Sequence, residues 1–500
     1  MFSSHHGTDG SGRGAKRPVR SIVWALLGSA GLVGWAGAAL AQNPEEANNA
    51  RLVGMHDLQA RSAYQPLPHE QGDRWIAYVG HHGGTAFNPL TGMVETNGTS
   101  IVDVTNPRRP FLLSHLPPTD GTSSQFVQVC SGDELPQGTP GATYLLRGDG
   151  GEGHEVWDVT EPEQPVFVTD VTSGLDGTHK NWWECDTGIA YLMADLRPDG
   201  WLRRGMKIFD LSDPTNPVFI RNFDLRGAEP GAPEDQPPRG DTMHEVTTDG
   251  QFVYAGYGTS SFGVMQILDR TELLEGDPDD IVAPIVAELD LPDFWGAHTV
   301  WPLIGMNLPE YDFFEEGTPR NFAVVVNEST SNSCQESMHE MVFFADITDP
   351  AHPWPVSNYQ VPESEGLFCD RGGRFGAHSM NWSFSDVFYR KLIIVSYFNA
   401  GARAVDVRDP FHPEEVGFYI PATTDDTDER CAVIDGIEEC FIAIQTNNVE
   451  VDDRGLIYLA DRANTGLHIV ELTGRARQII EAPAEGEEPA EDDEMVAELP

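Results

Sequence analysis

The stretch Ile208-Phe-Asp-Leu-Ser-Asp-Pro-Thr-Asn-Pro217 carries the pattern that decides the fold of this chain, an aspartate followed by prolines four and seven positions later. The same spacing occurs in four other stretches, which are Ile101–Pro110, Val156–Pro165, Phe344–Pro353 and Ala404–Pro413. Recurrence of one spacing along a chain of 500 residues indicates an internal structural repeat.

Each copy of the pattern predicts a β-hairpin. The apolar residues before the aspartate form one strand, and the aspartate carboxylate accepts hydrogen bonds from amides of the following turn. Proline lacks an N–H donor, so the two prolines end the strand and fix the turn. A new apolar run follows the second proline, as in Val166-Phe-Val168, and gives the next antiparallel strand.

Two further strand candidates precede each hairpin, so one repeat contains four short strands. The aspartate recurs at positions 103, 158, 210, 269, 346 and 406, although the copy around Asp269 lacks the prolines. Residues 448–472 supply a seventh, shorter unit with only three strands. Repeated four-stranded units of this length are typical of a β-propeller, so the sequence predicts an all-β fold with seven antiparallel blades.

The strand missing from the seventh unit has a candidate near the N-terminus. Leu52–Leu58 resembles Glu415–Ile420, a segment in the fourth-strand position of its unit. If the N-terminal strand pairs with the seventh unit, the ring closes without a free edge. We therefore place the propeller at residues 42–475, after a signal peptide at 1–41 and before an acidic, disordered tail at 476–500.

The first 41 residues have the organisation of an export signal. Basic residues occur between Arg13 and Arg20, an uncharged run follows from Ile22 to Leu40, and Ala39-Leu40-Ala41 offers a cleavage site between small residues. The sequence thus predicts a Sec-type signal peptide and a periplasmic or secreted bacterial protein with no stable membrane span after cleavage. An uncleaved membrane anchor is the alternative.

Six cysteines in an exported chain predict three disulfides. Contacts in a repeat fold are local, so we expect the cysteines to pair in sequence order. These pairs are Cys130 with Cys185, Cys334 with Cys369, and Cys431 with Cys440.

The Val-x-Asp-Val-Thr-x-Pro-x-x-Pro hairpin resembles the LVIVD repeat, which occurs in exported and cell-surface bacterial β-propellers, some of them grouped as choice-of-anchor proteins. The resemblance extends over about residues 52–473. It implies a propeller and an extracytoplasmic setting. It implies little about chemistry, because propellers serve both as enzymes and as scaffolds.

Histidines mark equivalent positions in four successive units, at the start of the first strand, which lines the central channel of a propeller. These histidines are His179, His244, His298 and His378. The matching positions in the second and seventh units are also polar, Gln125 and Asn447. The loops between second and third strands reach the same mouth of the channel and carry His81, His82, His154 and His339, as well as acids that include Glu328 and Glu340.

Imidazole is the commonest ligand for transition metals, so convergent histidines predict a pocket for Cu, Zn or Fe at this mouth, with all eight histidines as candidate ligands. In the alternative interpretation, each histidine only hydrogen-bonds a neighbouring blade and recurs because the blade recurs. The acids likewise have a simpler interpretation as solvated surface or turn residues.

The chain carries 79 acids against 31 bases, a formal net charge of −48, which excludes nucleic acid as an expected partner. It contains no convincing nucleotide-binding or nucleophile motif, so we expect no nucleotide cofactor and assign no catalytic residue. The leading hypothesis is an exported propeller with a metal pocket, whose partner is an unidentified small molecule or protein. If this protein is an enzyme, we expect a metal-dependent oxidoreductase or hydrolase. The alternative is a non-catalytic extracytoplasmic scaffold.

Overall fold

The computed structural model describes residues 43–119, 122–311 and 319–482. The predicted signal peptide therefore lies outside the described residues, as do residues 483–500 of the predicted tail. Within the described ranges, no helix has the length and apolar character that crossing a membrane requires.

The chain forms consecutive antiparallel sheets whose strands follow one another in sequence order. The first sheet consists of Ala63–Gln71, Arg74–His81, Thr99–Asp103 and Phe111–Leu116. The second consists of Val127–Ser131, Thr143–Asp149, Gly153–Asp158 and Val166–Thr172. The third consists of Thr178–Trp183, Ile189–Asp195, Arg204–Asp210 and Val218–Phe223. The fourth consists of Met243–Thr248, Phe252–Tyr257, Val264–Asp269 and Ile285–Asp290. The fifth consists of Thr299–Met306, Arg320–Val326, Val342–Asp346 and Trp354–Tyr359.

The last sheet has nine strands and joins two such groups through the pair Phe398–Thr446. Its first group consists of Phe375–Met380, Leu392–Phe398, Ala402–Asp406 and Glu414–Ile420. Its second group consists of Thr446–Val451, Leu456–Asp461 and Gly466–Leu472. Two N-terminal strands add to these groups. Glu46–Asn48 pairs with the outer strand of the first group, and Ala50–His56 pairs antiparallel with Gly466–Leu472 of the second.

Short elements decorate the sheets. Two hairpins project from them, Thr85–Asn88 with Met93–Thr96 and Glu429–Ile434 with Ile437–Ile442. The α-helices are Arg270–Glu275, Glu363–Gly366, Phe368–Arg371 and Gly474–Glu481. The 3-10 turns are Leu58–Ala60, Arg197–Asp199, Pro309–Tyr311 and Cys334–Glu336.

The hydrophobic core lies between consecutive sheets. Tyr191 of the third sheet packs in one buried cluster with Val253 of the fourth, and Val102 of the first sheet packs in another with Tyr458 and Ile469 of the last. The first strands of neighbouring sheets contact each other around a common axis. The predicted all-β fold of four-stranded antiparallel units is confirmed, and sheets arranged in this way form a β-propeller.

The repeated aspartate acts in the turn as expected. In each of the five copies its carboxylate accepts a hydrogen bond from the amide two residues later, at 2.8 to 3.2 Å. Asp269, in the copy without prolines, instead caps the helix Arg270–Glu275 by accepting the amide of Glu272 at 2.9 Å. The helix replaces the proline turn, which explains why this copy departs from the pattern.

All three predicted disulfides are confirmed: Cys130–Cys185, Cys334–Cys369 and Cys431–Cys440. The first joins the second sheet to the third, and the last crosses a hairpin whose two cysteines are directly paired.

The predicted boundary of the disordered tail at residue 476 is wrong. Residues 474–481 form a helix, and Ala476, Ile479 and Ile480 are buried against the last sheet. Their spacing of three and four residues places them on one face of a helix, so this segment buries apolar surface although the sequence after it is acidic.

Candidate metal centre

The four histidines of the shared register come together in the channel. His179 and His244 are the second residues of their strands, His298 directly precedes the first strand of the fifth sheet, and His378 lies within Phe375–Met380. Their ring centroids are separated by 4.4 Å from His179 to His244, 3.9 Å from His244 to His298, and 4.5 Å from His298 to His378.

Three of the side chains at this place form a compact group, because one ligand atom each of His244, His298 and Glu328 lies within 4.8 Å of the others. The Nε2 atoms of His179 and His244 are 2.9 Å apart. The carboxylate of Glu328 faces the other side, with Oε2 3.9 Å from His244 Nε2 and 3.8 Å from His298 Nε2. Its Oε1 lies 3.7 Å from His378 Nε2. His179 therefore contacts this compact group through His244, and His378 contacts it through Glu328.

The opposite ring nitrogens of His378 and His179 bind neighbouring blades. His378 Nδ1 lies 2.6 Å from the backbone oxygen of Asn447. A carbonyl oxygen only accepts, so Nδ1 carries the proton and the Nε2 lone pair of His378 is free. His179 Nδ1 is similarly placed 2.7 Å from Gln125 Oε1. Nδ1 of His244 is buried and has no hydrogen-bond partner among the described residues.

A buried ion pair lies directly beneath the histidines. Lys180 Nζ donates to Glu245 Oε2, and the two side chains are 1% and 0% exposed. The same Nζ is 3.3 Å from His298 Nε2. Thr299 connects the Lys180–Glu245 ion pair to the imidazole of His298. The Thr299 hydroxyl donates to Glu245 Oε2 at 2.9 Å and lies 2.9 Å from His298 Nδ1.

Sequence reasoning missed Lys180 and Glu245, each of which follows a histidine. Regular alternation in a strand sends consecutive side chains to opposite faces. The strand register shifts between Thr178 and Asn181 and between Met243 and Glu245, as at a β-bulge. These irregularities allow adjacent residues to reach the same channel, and the only signal in the sequence is a charge inside an otherwise buried strand.

Burial sets the protonation states of the centre. It lowers the pKa of all four histidines well below the ordinary value, and the charge of Lys180 lowers the pKa of each further. The rings are therefore neutral near pH 7, which is the form that binds metal.

Of the four additional predicted ligands, only His82 lies beside the cluster. Its ring is 4.9 Å from that of Tyr64, and the Tyr64 ring is 5.8 Å from His179 and 5.9 Å from His378. Tyr64 thus contacts both His82 and two rings of the cluster.

His81 and His154 are placed elsewhere, which corrects the prediction that they complete the cluster. Nε2 of His81 bonds with Ser100 Oγ at 2.8 Å, and Ser100 in turn lies 3.2 Å from His115 Nδ1. His154 is 1% exposed, and neither ring nitrogen has a hydrogen-bond partner among the described residues. Both occupy second or third strands, which lie farther from the axis than first strands, so their side chains pack within the blades.

His339 also lies away from the four-histidine cluster. Its Nε2 is 3.8 Å from the sulfur of Cys334 and 3.6 Å from that of Cys369. These sulfurs are joined in a disulfide, so they offer no thiolate to a metal. The prediction that His339 joins the channel site is therefore not matched by its position.

The stability of the metal-free protein should fall as the pH drops below 7. Burial lowers the pKa of eleven described histidines, so below about pH 6.5 the unfolded chain takes up protons that the folded chain does not. These are His56, His69, His81, His82, His115, His154, His179, His244, His298, His378 and His468. Five carboxyl groups with raised pKa values have the opposite effect on stability. They take up protons in the folded protein at a higher pH than in the unfolded chain, so they stabilise the folded state as the pH falls.

The histidines outnumber these carboxyls, so we expect the free energy of unfolding to decrease by at least about 2 kcal/mol between pH 7 and pH 6. Urea unfolding at the two values, with a chelator present, measures the difference. An unchanged or higher stability at pH 6 would show that the histidines are not held neutral.

No protein-family model matches the chain, and no curated protein matches it. Among solved structures, the β-propeller domain of Cps50 (Swd1) from Myceliophteria thermophila aligns with a TM-score of 0.45 and 12% identity, over 86% of this chain and 100% of that one. Sqt1 from Chaetomium thermophilum aligns with a TM-score of 0.47 and 10% identity, over 85% of this chain and 98% of that one. The function of the site therefore has to follow from its own residues.

Proposed function

We propose that this protein holds a transition-metal ion in the channel of its propeller, on His179, His244, His298 and His378. The observation that carries the proposal is that ligand atoms of His244, His298 and Glu328 lie within 4.8 Å of one another, with His179 Nε2 beside His244 and His378 Nε2 beside Glu328. Nitrogen-rich sites with one carboxylate suit Zn, Cu or Fe.

The spacing of the donor atoms supports this assignment. Ligand atoms at ~2.0–2.1 Å from a tetrahedral ion are about 3.3 Å apart. The separations here, 2.9 Å between His179 and His244 Nε2 and 3.7 to 3.9 Å from Glu328 to the other three rings, bracket that value. His244, His298 and Glu328 would be the first ligands of the ion, and His179 and His378 would have to move toward it to join them.

Groups that would hold the ligand histidines in place are already present for two of the four rings. Gln125 and the backbone oxygen of Asn447 hold the outer nitrogens of His179 and His378, as ligand histidines require. Lys180 competes with an ion for the lone pair of His298. When an ion takes that lone pair, Lys180 keeps its partner Glu245.

The second candidate function is a non-catalytic scaffold, and the same Lys180 contact favours it. In that case His298 Nε2 is already satisfied by Lys180, and His179 and His378 act as links between blades through Gln125 and Asn447.

Elemental analysis of protein purified without a histidine tag separates the two functions. One Zn, Cu or Fe per chain, retained through gel filtration, is expected if the channel binds metal. A substoichiometric content that stays so after reconstitution with each ion would favour the scaffold.

We also propose that the ring has seven blades and is closed by the N-terminal strand. The pairing of Ala50–His56 with Gly466–Leu472 supports the closure, as does the buried cluster shared by the first and last sheets. A closed ring leaves no sheet edge free between its ends.

Substitutions on the two sides of the N-terminal strand test this closure. Leu52 packs against a buried cluster, whereas Met55 is 40% exposed. Leu52→Asp should lower the free energy of unfolding by about 2 kcal/mol, and Met55→Asp by less than about 0.5 kcal/mol. If chemical denaturation shows small and equal losses in the free energy of unfolding for both variants, the N-terminal strand does not close the propeller.

Export and membership of the LVIVD-repeat group are further parts of the proposal. Three disulfides support an oxidising compartment, because cytosolic thiols are kept reduced. Five copies of the proline-containing hairpin support the LVIVD assignment.

A further inference from the structure

Among the described residues, Cys334–Cys369 is the one disulfide that has an imidazole against both of its sulfurs. His339 Nε2 lies 3.8 Å from Cys334 Sγ and 3.6 Å from Cys369 Sγ. The sulfur of Cys185, in another disulfide, instead contacts the backbone oxygen of Val129 at 3.6 Å. Cys334, Cys369 and His339 therefore place two sulfurs and one nitrogen, which are good ligands for zinc, within 4.8 Å of one another.

The segments that carry these three side chains are also joined by other contacts. Cys334 begins a 3-10 turn, His339 lies five residues farther along the same loop, and Cys369 lies in a short helix. Gln335 Nε2 donates to the backbone oxygen of Cys369 at 2.9 Å, and the Phe375 ring packs edge-on to His339 at 5.0 Å. These contacts do not involve the sulfur–sulfur bond, so we expect them to hold the turn and the helix together when that bond is cleaved.

The spacing of the ligand atoms matches a tetrahedral ion in all but one distance. With bonds of about 2.3 Å to sulfur and about 2.0 Å to nitrogen, a sulfur and a nitrogen on one zinc ion are about 3.6 Å apart. His339 Nε2 is already 3.8 and 3.6 Å from the two sulfurs. The two sulfurs themselves would have to be about 3.8 Å apart, so the disulfide must first be reduced.

Reduction converts the disulfide into two ligands. A dithiol transfers two electrons to Cys334–Cys369, which becomes two thiols, and the dithiol becomes a cyclic disulfide. A metal ion then displaces one proton from each thiol. In the disulfide form, His339 Nε2 lies 3.2 Å from the backbone oxygen of Cys334, which only accepts, so Nε2 carries the proton. In the ligated form that proton is on Nδ1, and the Nε2 lone pair binds the ion.

Burial selects the charge of the ion. Cys334 is 2% exposed and Cys369 is 6% exposed, so two bare thiolates would be costly to hold there. A divalent ion with two thiolates and a neutral imidazole forms a group without net charge. A monovalent ion such as Cu⁺ would leave one negative charge in the same place. Zn²⁺ therefore suits the site, with water as its fourth ligand.

We propose that Cys334, Cys369 and His339 form a second metal site, which binds Zn²⁺ only when their disulfide is reduced. The site does not rest on the proposed channel ion, because the two share no ligand. In an oxidising compartment the disulfide stays closed and His339 stays unligated. A reductant opens the site, so the metal content of the protein depends on the redox state of its surroundings.

Titration with Co²⁺ tests the inference on full-length protein, before and after reduction with a trialkylphosphine. Cobalt bound to thiolate has a charge-transfer absorption in the near ultraviolet that cobalt bound to nitrogen and oxygen lacks, so cobalt in the channel does not contribute to it. The variants are Cys334→Ser combined with Cys369→Ser, and His339→Asn. Their controls are Cys431→Ser combined with Cys440→Ser, an exposed pair, and His352→Asn, whose side chain is 82% exposed.

We expect the thiolate absorption in the reduced wild type, at one Co²⁺ per chain, and none in the oxidised protein. Zn²⁺ should displace the cobalt. The absorption should be lost in the Cys334 and Cys369 double variant. His339→Asn should weaken Co²⁺ binding at least about tenfold, because loss of a group that only orients a ligand already has an effect of this size. Both controls should bind within twofold of the wild type.

The inference is overturned if the reduced wild type shows no thiolate absorption, or loses its fold by circular dichroism on reduction. Equal absorption in the Cys334 and Cys369 double variant would also overturn it, as would equal affinities of His339→Asn and His352→Asn. His339→Asn keeps all six cysteines, so its result does not depend on how the double variant folds. Metal uptake by the oxidised protein concerns the channel alone, so the two sites can fail separately.

Discussion

Replacing both His244 and His298 with alanine is expected to weaken metal binding by more than about 100-fold. Loss of groups that merely orient a ligand already weakens metal binding 10- to 100-fold, and here two donors are removed. The affinity is measured by competition with a chromogenic chelator, after unfolding curves have shown that the variant is folded.

His352→Ala is the matched control, because this histidine is 82% exposed and, among the described residues, its ring bonds only with Asp349 in its own turn. It should leave the affinity unchanged. Metal uptake by the double variant equal to that of the control would show that the ion, if any, binds elsewhere.

Lys180→Met should destabilise the fold by about 3–5 kcal/mol at pH 8. The substitution keeps the apolar stem but leaves Glu245 buried without its cation, and breaking a buried pair on one side has a cost of this order. Burial raises the pKa of Glu245 to about 7 even with Lys180 opposing the shift, so the loss should be smaller at pH 5, where Glu245 takes up a proton. Urea unfolding at both pH values measures it.

Two further variants check this interpretation. Lys207→Met removes a lysine of similar burial whose partner Asp199 is 41% exposed, and should reduce stability by less than about 1 kcal/mol. Lys180→Met combined with Glu245→Gln should recover most of the lost stability. Without such recovery, the effect would be due to packing of the lysine stem and not to the uncompensated carboxylate.

The repeat predicts the fold because the interactions that form each hairpin involve residues close together in the sequence. An aspartate that accepts the amide of its own turn and prolines that end a strand fix each hairpin, whatever surrounds it, and Asp103 and Asp210 do this at 2.9 and 2.8 Å. Pairing of cysteines in sequence order was predictable for the same reason, since neighbouring blades are neighbours in the chain.

The site was predictable only in part. Equivalent positions in a ring lie at similar distances from the axis, and His179 and His244 meet there. The position of His154 depends instead on whether a side chain of the third strand points toward the channel or into the blade. The alternation of side chains along a strand does not determine this direction at the end of a blade. Lys180 reaches the channel through a register shift, whose only signal in the sequence is a charge inside a strand.

The terminal helix shows a different limit. The Glu, Asp, Ala and Pro residues that are frequent after Arg475 predict a disordered tail, although Ile479 and Ile480 carry the apolar face that packs on the last sheet. A domain boundary predicted from composition is accurate only where the composition changes at the residue at which packing against the core ends.

The central claim is that the four histidines bind one metal ion, and anomalous diffraction at the absorption edge of the metal found by elemental analysis tests it most directly. The expected result is a single strong peak within about 2.0–2.2 Å of the Nε2 atoms of at least three of His179, His244, His298 and His378. Crystals of metal-reconstituted protein that show no peak in the channel, or a peak only at surface residues, would contradict the claim.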